Sequence, residues 1–265
     1  MQLTGSDYLL WGVTALLEAL LCALIVQRGL YRRLAFFSAY LALVLARGIL
    51  LWWAYHYLGS GSPAAWYIAW VTQGILLLAR GLAIAELCRS SLRAYRGIWA
   101  LGWRLLCTIA LLLLFNASLH AYGNSFWIAP FIITAERDLE LAVVGILVFL
   151  VALCRYYEIR LEPFQKMIAL GLCFYSAVQV SNDSFVREWL TRYFHLTPYF
   201  HLWNGIRLVS FQVALAIWLL ALRKPLPAAA PAPALLPQSV YDELSPQLNY
   251  RLRLLNQRLL EMLKS

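Results

Sequence analysis

Four charges fall within five residues at Glu136-Arg137-Asp138-Leu139-Glu140, at the mouth of an apolar run that continues to Cys154. On a helix Glu136 and Glu140 stack on one face, while Arg137 and Asp138 point elsewhere around the cylinder. If the run crosses a membrane, Glu140 lies inside the hydrocarbon, where an ionisable group costs about 2.5 to 3.5 kcal/mol on insertion scales. Such a group normally faces the bundle interior and pairs with a cation or binds something. Two acids one turn apart could also do acid–base work if one were desolvated and held protonated. The chain nevertheless has no GxSxG, no glycine-rich phosphate loop and no Ser–Lys pairing at useful spacing. No catalytic residue is named on these grounds, and an enzymatic reading has little behind it.

The elements that must position these acids follow from composition. Of 265 residues, 62% are hydrophobic and 13% charged, and the mean hydropathy is +0.67. That is far too apolar for a soluble domain, and it points to an all-α, polytopic membrane protein. The net charge of +9 would suggest nucleic acid in a soluble chain, but here most basic residues flank apolar segments, so no nucleic-acid partner is expected.

A membrane span needs about 20 mostly apolar residues. Seven segments qualify: 7–27, 34–57, 66–88, 100–120, 131–154, 165–186 and 199–222. Residues 1–224 thus read as a seven-helix transmembrane domain whose partner is the lipid bilayer. The first span is not a cleavable signal, because its positive flank (Arg28, Arg32, Arg33) follows it and Glu18 interrupts it. Sixteen Lys and Arg residues fall on one side of the spans and three on the other. By the positive-inside rule the amino terminus is outside and the carboxyl terminus cytoplasmic.

Three arginines remain within the spans: Arg47, Arg80 and Arg207. Acids at comparable depths are Glu18, Glu136, Glu140 and Asp183. Counting residues from the span ends pairs Glu18 with Arg47, and Arg207 with Glu140 or Asp183. It leaves Arg80 without a partner at its own level, with Glu86 nearer the cytoplasmic surface on the same helix. Glu18, Arg47 and Arg80 make a midplane ionic group, while Glu140, Arg207, Asp183, Asn204 and Glu136 line an outward-facing pocket for a ligand or ion. A single pair would suffice to fix helix register, so the number of groups favours a pocket over a purely structural network.

All four histidines, His56, His120, His195 and His201, fall on the outer side without HxxxH or HExxH spacing, so neither a metal nor another cofactor is expected. Residues 225–244 open with PLPAAAPAPALLP, a semi-rigid Pro/Ala linker. Beyond it, 245–265 forms a helix whose Leu248, Leu252, Leu255, Leu259 and Met262 repeat at spacings of four and three. This amphipathic or short coiled-coil helix suits docking to a cytoplasmic protein, a homodimer or the surface of anionic lipid.

The second span with Phe36-Phe37-Ser38-Ala39-Tyr40, the seven-span layout and the tail from Leu248-Asn249 to Leu260 resemble a group of uncharacterised bacterial seven-helix membrane proteins. The layout is also similar to the seven-span sensor modules joined to bacterial histidine kinases, although this chain ends at Ser265 without an output domain. The resemblance implies a multi-pass protein of the bacterial inner membrane. The function expected is receptor-like: an outer polar pocket that signals through the tail to a separate partner. A small-solute or proton-coupled transporter with a three-plus-one-plus-three arrangement, and a structural or assembly subunit, are the alternatives.

Overall fold

The computed structural model describes residues 5–59, 61–92, 95–123, 126–156, 161–184, 199–223 and 248–264. They form eight helices: α1 (Gly5–Gln27), α2 (Ala35–Tyr57), α3 (Pro63–Ser91), α4 (Arg96–Ala121), α5 (Ile128–Tyr156), α6 (Pro163–Asn182), α7 (Tyr199–Arg223) and α8 (Leu248–Lys264). A short 3-10 turn, Leu30–Arg32, links α1 to α2, and no strand occurs among the described residues. The described residues are all-helical, and the chain is a multi-pass membrane protein.

Local chemistry sets the helix ends. Ser62 caps α3, its Oγ accepting from the Ala65 N–H at 3.1 Å, with Pro63 in the first turn. Glu162 and Gln165 form a reciprocal capping box around Pro163 at the start of α6. Gly59 (φ 79°) and Gly123 (φ 82°) adopt the left-handed conformation just beyond α2 and α4, where a side chain would be strained.

Six of the helices are long and apolar enough to cross a membrane: α1, α2, α3, α4, α5 and α7. The segment expected at 165–186 does form a helix, but α6 is only 20 residues long and falls outside that set. The reason lies in its composition, because Gln165, Ser176, Gln179 and Asn182 are buried in the bundle instead of being replaced by lipid-facing apolar residues. The Pro/Ala linker at 225–244 and the Ser245-Pro246 start of the tail lie outside the described residues.

Helices α1, α2, α3, α5, α6 and α7 form a closed ring in that order, since α7 packs back on α1. Helix α4 lies outside the ring against α5, and α8 packs on α4. We call the end of the bundle where α1 begins the head end, and the opposite one the tail end. Apolar core fills the tail half: Leu21 and Ile25 of α1, Phe37 and Leu41 of α2, Ala83 and Leu87 of α3, Leu147 and Leu150 of α5, Ile168 and Leu172 of α6, and Leu215 and Trp218 of α7. Trp218 meets Phe37 edge-on at 5.3 Å between centroids, and its Nε1 donates to the Ile168 carbonyl at 3.2 Å. Gly171 leaves the room for that indole.

At the tail end, helix ends are satisfied by groups from other helices. The Phe37 N–H in the first turn of α2 donates to Glu86 Oε2 at 3.0 Å, and the Gly97 N–H in the first turn of α4 donates to Asn256 Oδ1 at 2.7 Å. Arg28 Nη2 donates to the Arg223 carbonyl at the end of α7, at 2.9 Å. The other half of the interior, toward the head end, is polar.

Candidate functional site

Every ring helix switches from apolar to polar along its length. Buried Thr14 and Glu18 (α1), Gln73 and Arg80 (α3), Glu140 (α5), Ser176, Gln179 and Asn182 (α6) and Ser210 (α7) lie headward of the apolar core. Arg47 (α2), Glu136 (α5) and Arg207 (α7) extend this polar half.

At its base Glu140 is 1% exposed and Arg80 4% exposed. Arg80 Nη1 and Nη2 donate to the two carboxylate oxygens of Glu140, with Nη2···Oε2 at 2.7 Å. Nη2 also donates to Ser176 Oγ at 2.8 Å, and the Tyr175 ring lies 4.8 Å from the guanidinium carbon. The planar fork thus joins α3, α5 and α6. Two-pronged recognition of a carboxylate is the arrangement in which arginine offsets most of its desolvation cost. Arg80 Nε is buried and has no hydrogen-bond acceptor among the described residues.

One helical turn headward on the same face of α5, Glu136 accepts from Arg207 Nη2 of α7. This pair is more open, with side-chain exposures of 32% for Arg207 and 17% for Glu136. Between them in sequence, Asp138 turns outward, where Asn116 Nδ2 of α4 donates to its Oδ2 at 2.5 Å. Arg137 Nε stands 3.6 Å from Asp138 at the exposed flank. The cluster around Glu136 and Glu140 therefore serves three interfaces: α5 with α7, α5 with α4, and α5 with α3 and α6.

Two pairings read from depth are corrected here. Arg80 has a partner, Glu140. Of the two acids expected for Arg207, Glu140 is engaged elsewhere while Asp183 stays within its electrostatic reach, and Glu136 is the acid it bonds. The level of a residue counted from a span end is blurred by helix tilt and by the reach of an arginine stem, which lets the head group sit a turn away from its own Cα. Glu86, the only acid that counting offered Arg80, instead caps α2.

The expected Glu18–Arg47 contact is likewise absent. Arg47 Nε donates to Thr72 Oγ1 of α3 at 3.2 Å and acts on Glu18 only through space. Asp183 closes α6 at the head end, half-exposed and within electrostatic reach of Arg207. The side chains of Asn204 and Leu248 lie outside the described residues. On α8, Leu252 is 2% exposed and Leu259 packs on the core, whereas Leu255 and Met262 are 38% and 63% exposed.

Sequence reasoning missed Tyr175, Ser176, Thr72 and Asn116. Ser176 and Thr72 are weak signals, because serine and threonine commonly bond the preceding helical turn, as Thr72 also does to Ile68. Tyr175 precedes Ser176 in a helix already read as polar, and its position over Arg80 depends on helix rotation.

Chemically, the lower pair is a closed, two-pronged ion pair, with the Ser176 hydroxyl engaged by Arg80. Among the described residues no group of three or more His, Cys, Asp or Glu side chains is placed to hold a metal ion. The arrangement can exchange partners at Glu136 and Arg207 while Glu140 and Arg80 stay closed. Comparison with known protein families, with curated proteins and with solved structures returns no match.

Proposed function

We propose that this chain is a receptor-like sensor of the bacterial inner membrane, with its head end outside and its tail in the cytoplasm. The observation that carries the reading is the unequal pair of clasps on α5: a sealed one, Arg80–Glu140, and a half-open one a turn headward, Arg207–Glu136. A small ligand enters at the open pair, competes for Arg207 or Glu136, and changes how α7 is held to α5. The sealed pair keeps the bundle together meanwhile. Asp183 and Arg47 stand within electrostatic reach of the same place and help define the ligand's charge. In this reading α6 is a seventh span, as in a seven-span sensor module.

The output is α8. It packs on α4, which packs on α5, so a shift of α5 reaches the tail through two contacts. Transmission requires that the ligand favour one arrangement energetically. A separate protein, or a second copy of the chain, reads the tail through the exposed Leu255 and Met262 side of α8.

Spin labels at Gln257→Cys on α8 and Leu105→Cys on α4 report this coupling in lipid nanodiscs. Opening the outer clasp by Arg207→Gln should shift the interlabel distance distribution, while Arg137→Gln at the exposed flank should not. An unchanged distribution in Arg207→Gln would remove the basis for signalling through the tail.

A transporter is the second reading, favoured by the position of α4 outside the ring. With α4 as connector, α1–α3 and α5–α7 make the two halves of a three-plus-one-plus-three arrangement. Solute uptake into proteoliposomes that is lost in Glu136→Gln would favour it over the sensor.

A further inference from the structure

We propose that Glu18 is a proton-binding site, and that Arg47 is the cation that takes the proton's place when it leaves. Glu18 is 6% exposed, and among the described residues no hydrogen bond or ion pair reaches its carboxyl group. It faces α2, where Gly48 permits the approach: a Cβ at that position would stand 4.0 Å from Glu18 Oε2.

The ionisable surroundings are few. On α2, Arg47 and Tyr40 are within electrostatic reach, and on α1 itself Cys22 lies one turn tailward. On α7, Gln212 meets Thr14 and Arg223 meets Arg28, so Glu18 lies opposite residues 213–222, VALAIWLLAL, which hold no ionisable side chain. The 3-10 turn beyond Arg28 carries its Arg32 at the exposed tail end. Arg80 and Glu140, which also act on Tyr40, are occupied with each other.

An ionised carboxylate without a hydrogen bond in an apolar interior is strongly disfavoured relative to the neutral acid. With Arg47 bonded to Thr72, the neutral acid is the form that fits. When the proton leaves, it passes to water at the head end, the side on which the buried polar neighbours Thr14 and Gln212 lie. The carboxylate left behind attracts Arg47, whose terminal nitrogens make no hydrogen bond among the described residues. Arg47 then leaves Thr72, exchanging an α2–α3 contact for an α2–α1 contact. Because Arg47 also acts on Arg207 and Glu136, the exchange alters the charge facing the outer clasp.

Infrared spectroscopy of the full chain in nanodiscs tests this directly. The wild type should show the C=O stretch of a protonated carboxyl at neutral pH, lost on raising the pH. The band should be missing in Glu18→Gln and kept in Glu136→Gln. In Arg47→Gln it should persist to higher pH by about one to three units, because the carboxylate has lost its cation. A wild type without the band, a band that survives Glu18→Gln, or an Arg47→Gln titration identical to wild type overturns the proposal. The Arg47→Gln arm stands even where Glu18→Gln fails to fold.

Discussion

At the scale of the residue, the sealed clasp decides most. Glu140→Gln leaves the Arg80 charge buried without its counter-charge, and should cost about 3 to 5 kcal/mol in unfolding from detergent micelles. Replacing both partners, Arg80→Met with Glu140→Leu, should cost much less than either single change, because no uncompensated charge remains. Equal losses in the single and double variants would mean that the two side chains do not act as a pair. Tyr175→Phe should be close to neutral, since the ring over Arg80 remains, while Tyr175→Leu should lose about 2 kcal/mol for a desolvated cation–π contact. Which acids and arginines enter the interior was legible in the sequence, because a charge in an apolar run has nowhere else to go. Which one meets which was not: Glu136 and Glu140 differ by one turn, about 6 Å, which is less than the error of locating a span end and comparable to the reach of an arginine.

At the scale of the element, the docking of α8 rests on an unusually close approach. A Cβ on Gly97 would stand 2.6 Å from Asn256 Oδ1 and 2.8 Å from the Asn256 carbonyl oxygen. Gly97→Ala should therefore free α8 from α4 while leaving the ring intact, seen as faster proteolysis after Arg251, Arg253 and Arg258 at an unchanged melting temperature of the bundle. Asn256→Ala removes only the borrowed cap, worth about 1 kcal/mol, and should give a weaker form of the same result. Protease resistance equal to wild type in Gly97→Ala would place the hold on α8 elsewhere. The spacing of the tail leucines was enough to expect a helix with one apolar side. It could not say that Leu252 and Leu259 turn toward the chain's own core while Leu255 and Met262 do not. That choice depends on Gly97, more than 150 residues earlier and bare of any side chain.

At the scale of the whole molecule, the interior is divided into an apolar tail half and a polar head half, and the basic residues crowd the tail end. On our proposal the tail lies in the cytoplasm, as the positive-inside rule predicts. A membrane-impermeant maleimide should label Ser62→Cys, in the turn between α2 and α3, in intact cells, and should reach Gln257→Cys on α8 only after permeabilisation. The reverse pattern would invert the protein and put the open clasp on the cytoplasmic side. The helical, membrane-embedded class was legible from hydropathy alone. Helix α6 shows the limit of that signal, because the segment that contributes most polar groups to the centre is the one whose apolar character is weakest.

The central claim is that two ion pairs one turn apart on α5 differ in access, one sealed and one open. Guanidinium proton exchange, followed by NMR in nanodiscs, measures that difference directly. Arg207 should exchange readily with bulk water, and Arg80 roughly a hundredfold more slowly, as expected for a group that must break a buried pair to open. Equal exchange at the two arginines would contradict the account.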